Sequence, residues 1–177
     1  MGVPAAAGRS PGCTVVCAVR EGQYVPVMAD SARLIENLIY TYAERIDAGD
    51  YPGVAGLFTH GRIQAATAEE PLTLATGSDE VLGLYRQTTR LHDDGTPRTR
   101  HLTSNVMIQL DDSETSATAR SYFTVLQQVD DGPLQPIVSG RYHDRFHVVD
   151  GRWWFETRIM HVDLQGDLSR HLLQPLD

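Results

Sequence analysis

Three polar side chains have the types and positions from which proton-transfer chemistry could be built. Asp47 falls at the end of an amphipathic run, and a carboxylate at the C-terminal end of a helix lies against the negative end of the helix dipole. Its position indicates a specific partner, although Asp47 could instead face solvent or cap a loop. His101 stands early in an alternating stretch, near the end of a sheet where the mouth of a pocket would lie. Tyr42 belongs to the apolar face of the first run, so its hydroxyl points into the same cavity or is satisfied locally in the core.

A second polar group lies further along the chain. Asp144 shares a strand face with Phe146 and Val148, and a carboxylate among apolar side chains is costly unless it is paired. We therefore expect Asp144 to meet a cation or a hydrogen-bond donor, with His101 and Arg158 as the candidates.

Helices come first among the elements that must position these residues. From Asp30 or Ser31, either of which is an acceptable N-cap, apolar residues recur at spacings of three and four to about Ala48, and Gly49 supplies the stop. Two shorter helices are predicted at residues 51–58 and 77–90. Asp47 is thereby placed at the end of the first helix.

Strands follow the helices. Alternating stretches at residues 99–110, 115–129, 137–149 and 152–163, separated by turns rich in Asp and Gly, predict a four-stranded antiparallel meander. Residues 61–75 predict only a weak strand and then an irregular stretch. A single β-bulge between Trp153 and Arg158 would reverse which side chains face inwards. This order predicts an α+β fold with the helices packed on one face of the sheet.

The composition limits the classes of function. The 177 residues include 23 Asp and Glu against 15 Arg and no Lys, and this acidic balance argues against a nucleic-acid partner, whose binding depends on clustered cations. No window approaches the ~20 apolar residues of a membrane span. The sequence contains no Gly-rich phosphate loop, Gly-x-Ser-x-Gly elbow or Cys nucleophile, and His143 and His147 lie on a strand, where they do not converge on a metal. We expect chemistry without a cofactor or a metal.

The N-terminal segment differs from the rest of the chain. Residues 1–27 show no helical or strand periodicity and predict a poorly ordered tail before a single domain over residues 28–177. The tail lacks the apolar core and the cleavage site of a signal peptide, so we expect a cytoplasmic protein. Cys13 and Cys17, both in the tail, are too few for a disulfide framework and lack the further ligands of a zinc site.

These patterns together resemble the SnoaL-like branch of the nuclear transport factor 2-like superfamily. The resemblance covers residues 30–171 and depends on segments 34–50, 54–58, 100–105, 140–144 and 150–153, with Arg158. It implies a cone-shaped α+β barrel, in which N-terminal helices pack on a strongly curved, mostly antiparallel sheet and an apolar pocket opens at one end. It also implies a homodimer, because sheets of this shape commonly pair face to face.

The resemblance also implies roles for the polar residues. Asp47 and His101 match the acid and base pair of scytalone dehydratase and of bile-acid dehydratases, with His101 as general base and acid and Asp47 orienting it. Tyr42 matches a tyrosine of the bile-acid enzymes and would donate to the carbonyl oxygen or to the leaving hydroxyl. Asp144 and Arg158 match an Asp and an Arg there, as substrate contacts or supports. The second histidine and the paired tyrosines of the scytalone enzyme have no secure counterparts.

The predicted function is that of a cofactor-independent dehydratase or isomerase. Its substrate would be a small hydrophobic carbonyl compound in an internal pocket, such as a steroid, a polyketide or an aromatic catabolite. Tyr142, on the strand face of Asp144, and Asn105, on that of His101, are added as candidate substrate contacts. Isomerisation and cyclisation stay open, because the same groups could move a proton without expelling water. Two other classes remain: a non-catalytic binding or assembly module, and the small subunit of a ring-hydroxylating dioxygenase.

Overall fold

A computed structural model describes residues 15–20, 23–28 and 30–174, and three helices and eight strands lie within these ranges. In chain order they are β1 (Val15–Arg20), β2 (Gln23–Met28), α1 (Ser31–Asp47), α2 (Tyr51–Gly56), β3 (Arg62–Ala65), β4 (Leu72–Thr76), α3 (Gly77–Thr88), β5 (Thr99–Leu110), β6 (Ser116–Gln127), β7 (Gln135–Val149) and β8 (Arg152–Gln165).

The first two strands pair only with each other, as an antiparallel two-stranded sheet. No periodicity in this part of the sequence indicates the pairing. Cys13 and the rest of residues 1–14 lie outside the described ranges. The poorly ordered tail over residues 1–27 stays a prediction, as does the single domain over residues 28–177.

Helix α1 begins where the sequence predicts. The Asp30 carboxylate accepts the Ala32 N–H at 3.0 Å and so satisfies one of the free N–H groups of the first turn. The helix then buries one continuous face against the sheet, as its spacing of apolar residues requires. The residues of this face are Ile35, Ile39, Tyr42, Ala43 and Ile46.

The end of α1 is held against the loop that leads into β5. Gly49 has a φ of 72°, a conformation that favours glycine, and a Cβ on it would lie 2.2 Å from the Gly95 carbonyl oxygen. The two backbones therefore touch directly. This contact sets the last turn of α1, with Asp47, beside the start of β5, with His101.

The main sheet has six strands in the order β4-β3-β8-β7-β6-β5. Strands β5 to β8 form the predicted antiparallel meander, β3 pairs parallel with β8, and β4 pairs antiparallel with β3. The predicted α+β class, with helices on one face of a mostly antiparallel sheet, is confirmed. Strand β4 was not predicted, because only Ala75 of its five residues is buried and no alternation marks it.

Two bulges change which side chains face the helices. In β5 the register shifts between Ser104 and Met107, with Asn105 at a φ of 53°, so Asn105 is exposed and does not share the face of His101 as expected. Met107, which follows the bulge, is 60% exposed. In β8 Glu156 is skipped in the pairing with β7, and Phe155 and Arg158 are both fully buried. The second bulge lies where the sequence allowed for one.

None of the helices in the described part of the chain combines the length and the apolar character that crossing a bilayer requires.

Candidate active site

Asp47 and His101 are in direct contact at one end of the sheet. Nδ1 of His101 lies 2.6 Å from Oδ1 of Asp47, and the His101 backbone N–H donates to Oδ2 at 2.8 Å. The Thr99 hydroxyl donates to Oδ1 at 2.8 Å. The His101 and Asp47 side chains are only 7% and 6% exposed, so water competes little for these bonds.

Three donors compensate for the unfavourable position of Asp47. Burial raises the pKa of the Asp47 carboxyl, but the hydrogen bonds from the His101 ring, the His101 backbone and the Thr99 hydroxyl outweigh it, and the pKa lies below its usual range. Asp47 is therefore a carboxylate at neutral pH, held at the C-terminal end of α1 by hydrogen bonds to β5.

The contact with Asp47 fixes the tautomer of the neutral His101 ring. A carboxylate only accepts hydrogen bonds, so Nδ1 carries the proton and Nε2 keeps its lone pair. Among the described residues Nε2 has no hydrogen-bond partner. The hydrogen bond from Nδ1 to Asp47 fixes the orientation of the ring and leaves Nε2 as a proton acceptor. This is the geometry of a general base.

Arg158 provides the predicted partner of Asp144. The guanidinium donates from Nε to Oδ1 at 2.9 Å and from Nη2 to Oδ2 at 2.7 Å, between paired positions of β7 and β8. Arg158 is wholly buried and lies over the rings of Tyr142 and Tyr42, at 4.0 and 4.2 Å from their centroids. Burial alone would lower the pKa of Arg158, but the Asp144 carboxylate reverses this and raises it. The Arg158 guanidinium therefore stays charged.

Tyr42 forms a hydroxyl pair with Tyr85 of α3. The two oxygens are 2.6 Å apart, and both side chains are buried. Burial, and then the proximity of Tyr42, raise the pKa of Tyr85 well above its ordinary value. Two hydroxyl protons are thus present and only one is used between the oxygens, so the pair retains a donor.

The structure separates the candidate substrate contacts into two groups. Tyr142 stacks on Phe123 at 4.3 Å and lies beside Tyr42 and Arg158 in the core. Asn105 lies apart from them, because the β5 bulge directs it to the outer face of the sheet. There it lines a cavity of about 260 Å³.

Sequence reasoning missed Thr99 and Tyr85. Thr99 could have been found, since it stands two positions before His101 on the same strand face. Tyr85 lies on the buried face of α3, and the periodicity of that helix does not indicate its partner.

Among the cavities of the described residues, three are formed by residues other than Asp47 and His101. The first, about 490 Å³, lies on the outer face of the sheet between residues that include Met107, Arg120 and His143. The second is the cavity at Asn105. The third, about 400 Å³, lies between Arg90 and residues 165–174. The Asp47–His101 pair lies apart from these three cavities and is nearly buried.

Comparison with known proteins identifies the family. The sequence model of the SnoaL-like domain matches residues 28–159, and the chain belongs to this family. The match includes Asp47, His101, Asp144 and Arg158. A comparison with curated proteins gave no match.

Solved structures share the fold. A provisionally named scytalone dehydratase from Novosphingobium aromaticivorans is 26% identical over 76% of this chain and 85% of its own, with a TM-score of 0.57. The beta subunit of a provisionally named aromatic-ring-hydroxylating dioxygenase from the same organism is 18% identical over 77% and 91%, with a TM-score of 0.61. ActVI-ORFA from Streptomyces coelicolor is 17% identical over 74% and 96%, with a TM-score of 0.58.

Proposed function

We propose that this protein is a cofactor-independent dehydratase or isomerase that acts on a small hydrophobic carbonyl compound, such as a steroid, a polyketide or an aromatic catabolite. The observation that carries the proposal is the nearly buried Asp47–His101 pair, in which three donors hold the carboxylate and Nε2 of His101 is left as an acceptor. A carboxylate, an oriented imidazole and little competing water are what proton abstraction next to a carbonyl needs.

The proposed reaction begins at Nε2 of His101. It accepts the proton from the carbon next to the carbonyl, and the electron pair of that C–H bond moves to form an enolate. The enolate then forms the C=C bond as the C–O bond to the β-hydroxyl breaks, and Nε2–H returns the proton to the leaving oxygen, which departs as water. In isomerisation the same proton returns to a different carbon. Asp47 stabilises the imidazolium that exists between the two transfers.

The tyrosine pair is proposed to stabilise the enolate oxygen. Tyr42 donates the hydroxyl proton that the pair does not use internally, and Tyr85 supports it. The Arg158 guanidinium, paired with Asp144, is proposed to hold the Tyr42 ring in place by stacking on it and on Tyr142. Asp144, Arg158 and Tyr142 thus support Tyr42 and do not themselves contact the substrate in this proposal.

The likeness to the provisionally named scytalone dehydratase supports dehydration over the other proton transfers. The proposed ligand is a small hydrophobic molecule that binds beside the pair. The protein is further proposed to act in the cytoplasm as a homodimer. The second copy would cover the outer face of the sheet, where Leu102, Met107 and Tyr122 are half or more exposed.

The test is turnover by the wild type and by Asp47→Asn and His101→Gln. The probes are β-hydroxy ketones on monocyclic, bicyclic and steroid frameworks and a β,γ-unsaturated ketosteroid, followed by the absorbance of the conjugated enone. We expect each substitution to lower kcat by about 10²–10⁴-fold, since one removes the base and the other allows the wrong tautomer. The lost hydrogen bonds cost about 1–3 kcal/mol of stability, which leaves the protein folded.

Matched controls are Asp112→Asn and His60→Gln, which change the same residue types at exposed positions. Both should keep wild-type turnover. Wild-type turnover in folded Asp47→Asn and His101→Gln would contradict the proposal. If the wild type binds these ketones and converts none of them, the protein is a ligand-binding module.

A further inference from the structure

A row of side chains crosses four strands on the outer face of the sheet. Met107 of β5 is paired with Arg120 of β6. Arg120 is in turn paired with His143 of β7, and His143 with Ile159 of β8. Paired side chains on one face of a sheet lie about 5 Å apart and interact directly. The row therefore places a guanidinium next to an imidazole, with an apolar side chain at each end.

Two neighbouring cavities adjoin this row. One, of about 490 Å³, is lined by residues that include all four members of the row. The other, of about 260 Å³, shares Met107, Arg120 and His143 with the first and adds Asn105 and Tyr122. Sites that hold small organic molecules have volumes of this order. The outer face thus offers enough space for a ligand larger than a single ion.

Arg120 carries a positive charge that the protein itself does not balance. The arginines on either side are both paired, Arg141 with Asp163 through two bonds of 2.8 Å and Arg145 with Glu156 at 3.3 Å. Within the described part of the chain Arg120 meets no carboxylate, and its guanidinium contacts only a methionine sulfur at 4.0 Å. Because like charges at neighbouring positions of a sheet repel one another, an anion bound at Arg120 would stabilise this face.

The polar groups around the guanidinium are mostly hydrogen-bond donors. The Asn105 amide and the Tyr122 hydroxyl belong to the lining of the smaller cavity. Ser121 belongs to the same lining, and its hydroxyl is buried and has no hydrogen-bond partner among the described residues. Asp144, the one acidic residue in the two linings, is already paired with Arg158. Donors without acceptors favour a ligand that supplies acceptors.

We propose that this part of the outer face is a second ligand site, which binds a small organic carboxylate. The carboxylate accepts the forked hydrogen bonds of the Arg120 guanidinium, whose planar geometry matches it, and the His143 ring and the Asn105 amide are further donors. The apolar body of the ligand lies against Met107 and Ile159. An inorganic ion would leave these apolar side chains without a partner.

The carboxylate site is separate from the Asp47–His101 pair. The pair lies at the end of α1, on the face of the sheet that the helices cover, whereas Arg120 is exposed on the opposite face. The site therefore does not depend on the proposed function. The second copy of the proposed dimer would cover the same face, and the carboxylate would then lie between the two copies.

The experiment is calorimetric titration of the wild type with benzoate, 2-naphthoate and octanoate. The comparison ligands are 2-naphthamide, which has the same rings as 2-naphthoate and no charge, and inorganic phosphate. We expect 2-naphthoate to bind at least about 10-fold more tightly than either, because charge-assisted bonds and apolar contacts are both needed. Arg120→Gln should lower its affinity by at least about 10-fold, and Arg120→Lys should recover only part of this loss, since it keeps the charge without the fork.

Two variants are controls. Arg86→Gln makes the same exchange at an exposed position of α3, on the other side of the sheet. His101→Gln changes the candidate active site and leaves the outer face as it is. Both should bind 2-naphthoate as the wild type does.

Each other outcome overturns the inference. Unchanged affinity in Arg120→Gln, or no binding of any of the three carboxylates to the wild type, would show that the site does not exist. Equal affinity for phosphate and 2-naphthoate would show an unselective patch of positive charge. If His101→Gln loses 2-naphthoate and Arg120→Gln does not, the ligand binds at the candidate active site, and the proposed function stands while this inference fails. If no carboxylate binds and Arg120→Gln weakens the dimer, the anion that Arg120 meets belongs to the second copy.

Discussion

Asp47 occupies a position that is unfavourable for a carboxylate, and its hydrogen-bond partners stabilise it there. The last turn of a helix repels a carboxylate, and burial adds to the cost. Hydrogen bonds from Thr99 and from both the backbone and the ring of His101 offset these terms. The unfavourable position was the signal by which the sequence marked Asp47 as a residue with a specific partner.

The pH dependence of stability should reflect His171. Burial lowers its pKa from 6.5 in the unfolded chain to about 4 in the fold, so between these values the unfolded state binds more protons and the free energy of unfolding rises with pH. This contribution is complete above pH 6.5 and is lost as pH falls towards 4. At 1.36 kcal/mol for each pKa unit, the difference between the two pKa values amounts to about 3 kcal/mol of stability.

Urea unfolding of the wild type and of His171→Asn across this range checks the prediction. The variant cannot titrate at this position, so its free energy of unfolding should fall less between pH 6.5 and pH 4. Parallel pH profiles for the two proteins would show that His171 is not buried as described.

The need of single residues for a partner was predictable where one element alone supplies the signal. Asp47 and His101 stand at recognisable ends of a helix and a strand, and Asp144 is a charge on an apolar strand face. The hydrogen bond between Tyr85 and Tyr42 depends on how α3 packs against α1. Local periodicity carries no information on that packing.

At the scale of elements, the bulge in β5 decides what the strand presents to the core. Before the bulge Thr99 and His101 face inwards, and after it Val106 and Ile108 pack against the core. Asn105 adopts a φ of 53°, which Asn tolerates better than most residues. Strand β5 thus presents polar side chains to the core before the bulge and apolar side chains after it.

Substitution of Asn105 should separate backbone strain from side-chain contacts. Asn105→Gly should change stability by less than about 0.5 kcal/mol, whereas Asn105→Val should cost about 1–3 kcal/mol, because a β-branched residue is strained at positive φ. Chemical denaturation measures both values. Equal stability of the two variants would mean that the bulge moves or is lost without cost.

Most helices and strands were predictable from the sequence, but the pairing between distant strands was not. Strand β5 has its predicted bounds, and α1 begins at its predicted cap, because both have a continuous apolar pattern. Strand β4 escapes prediction because its side chains are mostly exposed. The parallel pairing of β3 with β8 joins distant segments, and a local pattern cannot specify such a pairing.

At the scale of the whole molecule, the helices cover one face of the sheet and leave the other open. Leu102, Met107 and Tyr122 lie on this outer face, and two of its arginines are already paired, Arg141 with Asp163 and Arg145 with Glu156. Apolar groups together with internally balanced charges suit contact with a second copy of the same face.

Charges on this face should separate the proposed dimer. We expect the double variant Met107→Glu, Tyr122→Glu to sediment as a monomer at concentrations where the wild type sediments as a dimer, because four carboxylates would meet in the interface. The matched control, Leu72→Glu with Leu134→Glu, changes two exposed apolar residues outside this face and should leave the dimer intact. A monomeric wild type would contradict the proposed assembly.

The contact between Gly49 and Gly95 has a consequence for how this protein can diverge. The spacing between the helix that carries Asp47 and the strand that carries His101 is set there by main chain against main chain. Side chains elsewhere in the core can therefore be exchanged over evolutionary time without moving the Asp47 carboxylate and the His101 ring apart. Members of the family can vary the surrounding side chains while inheriting the same contact between these two groups.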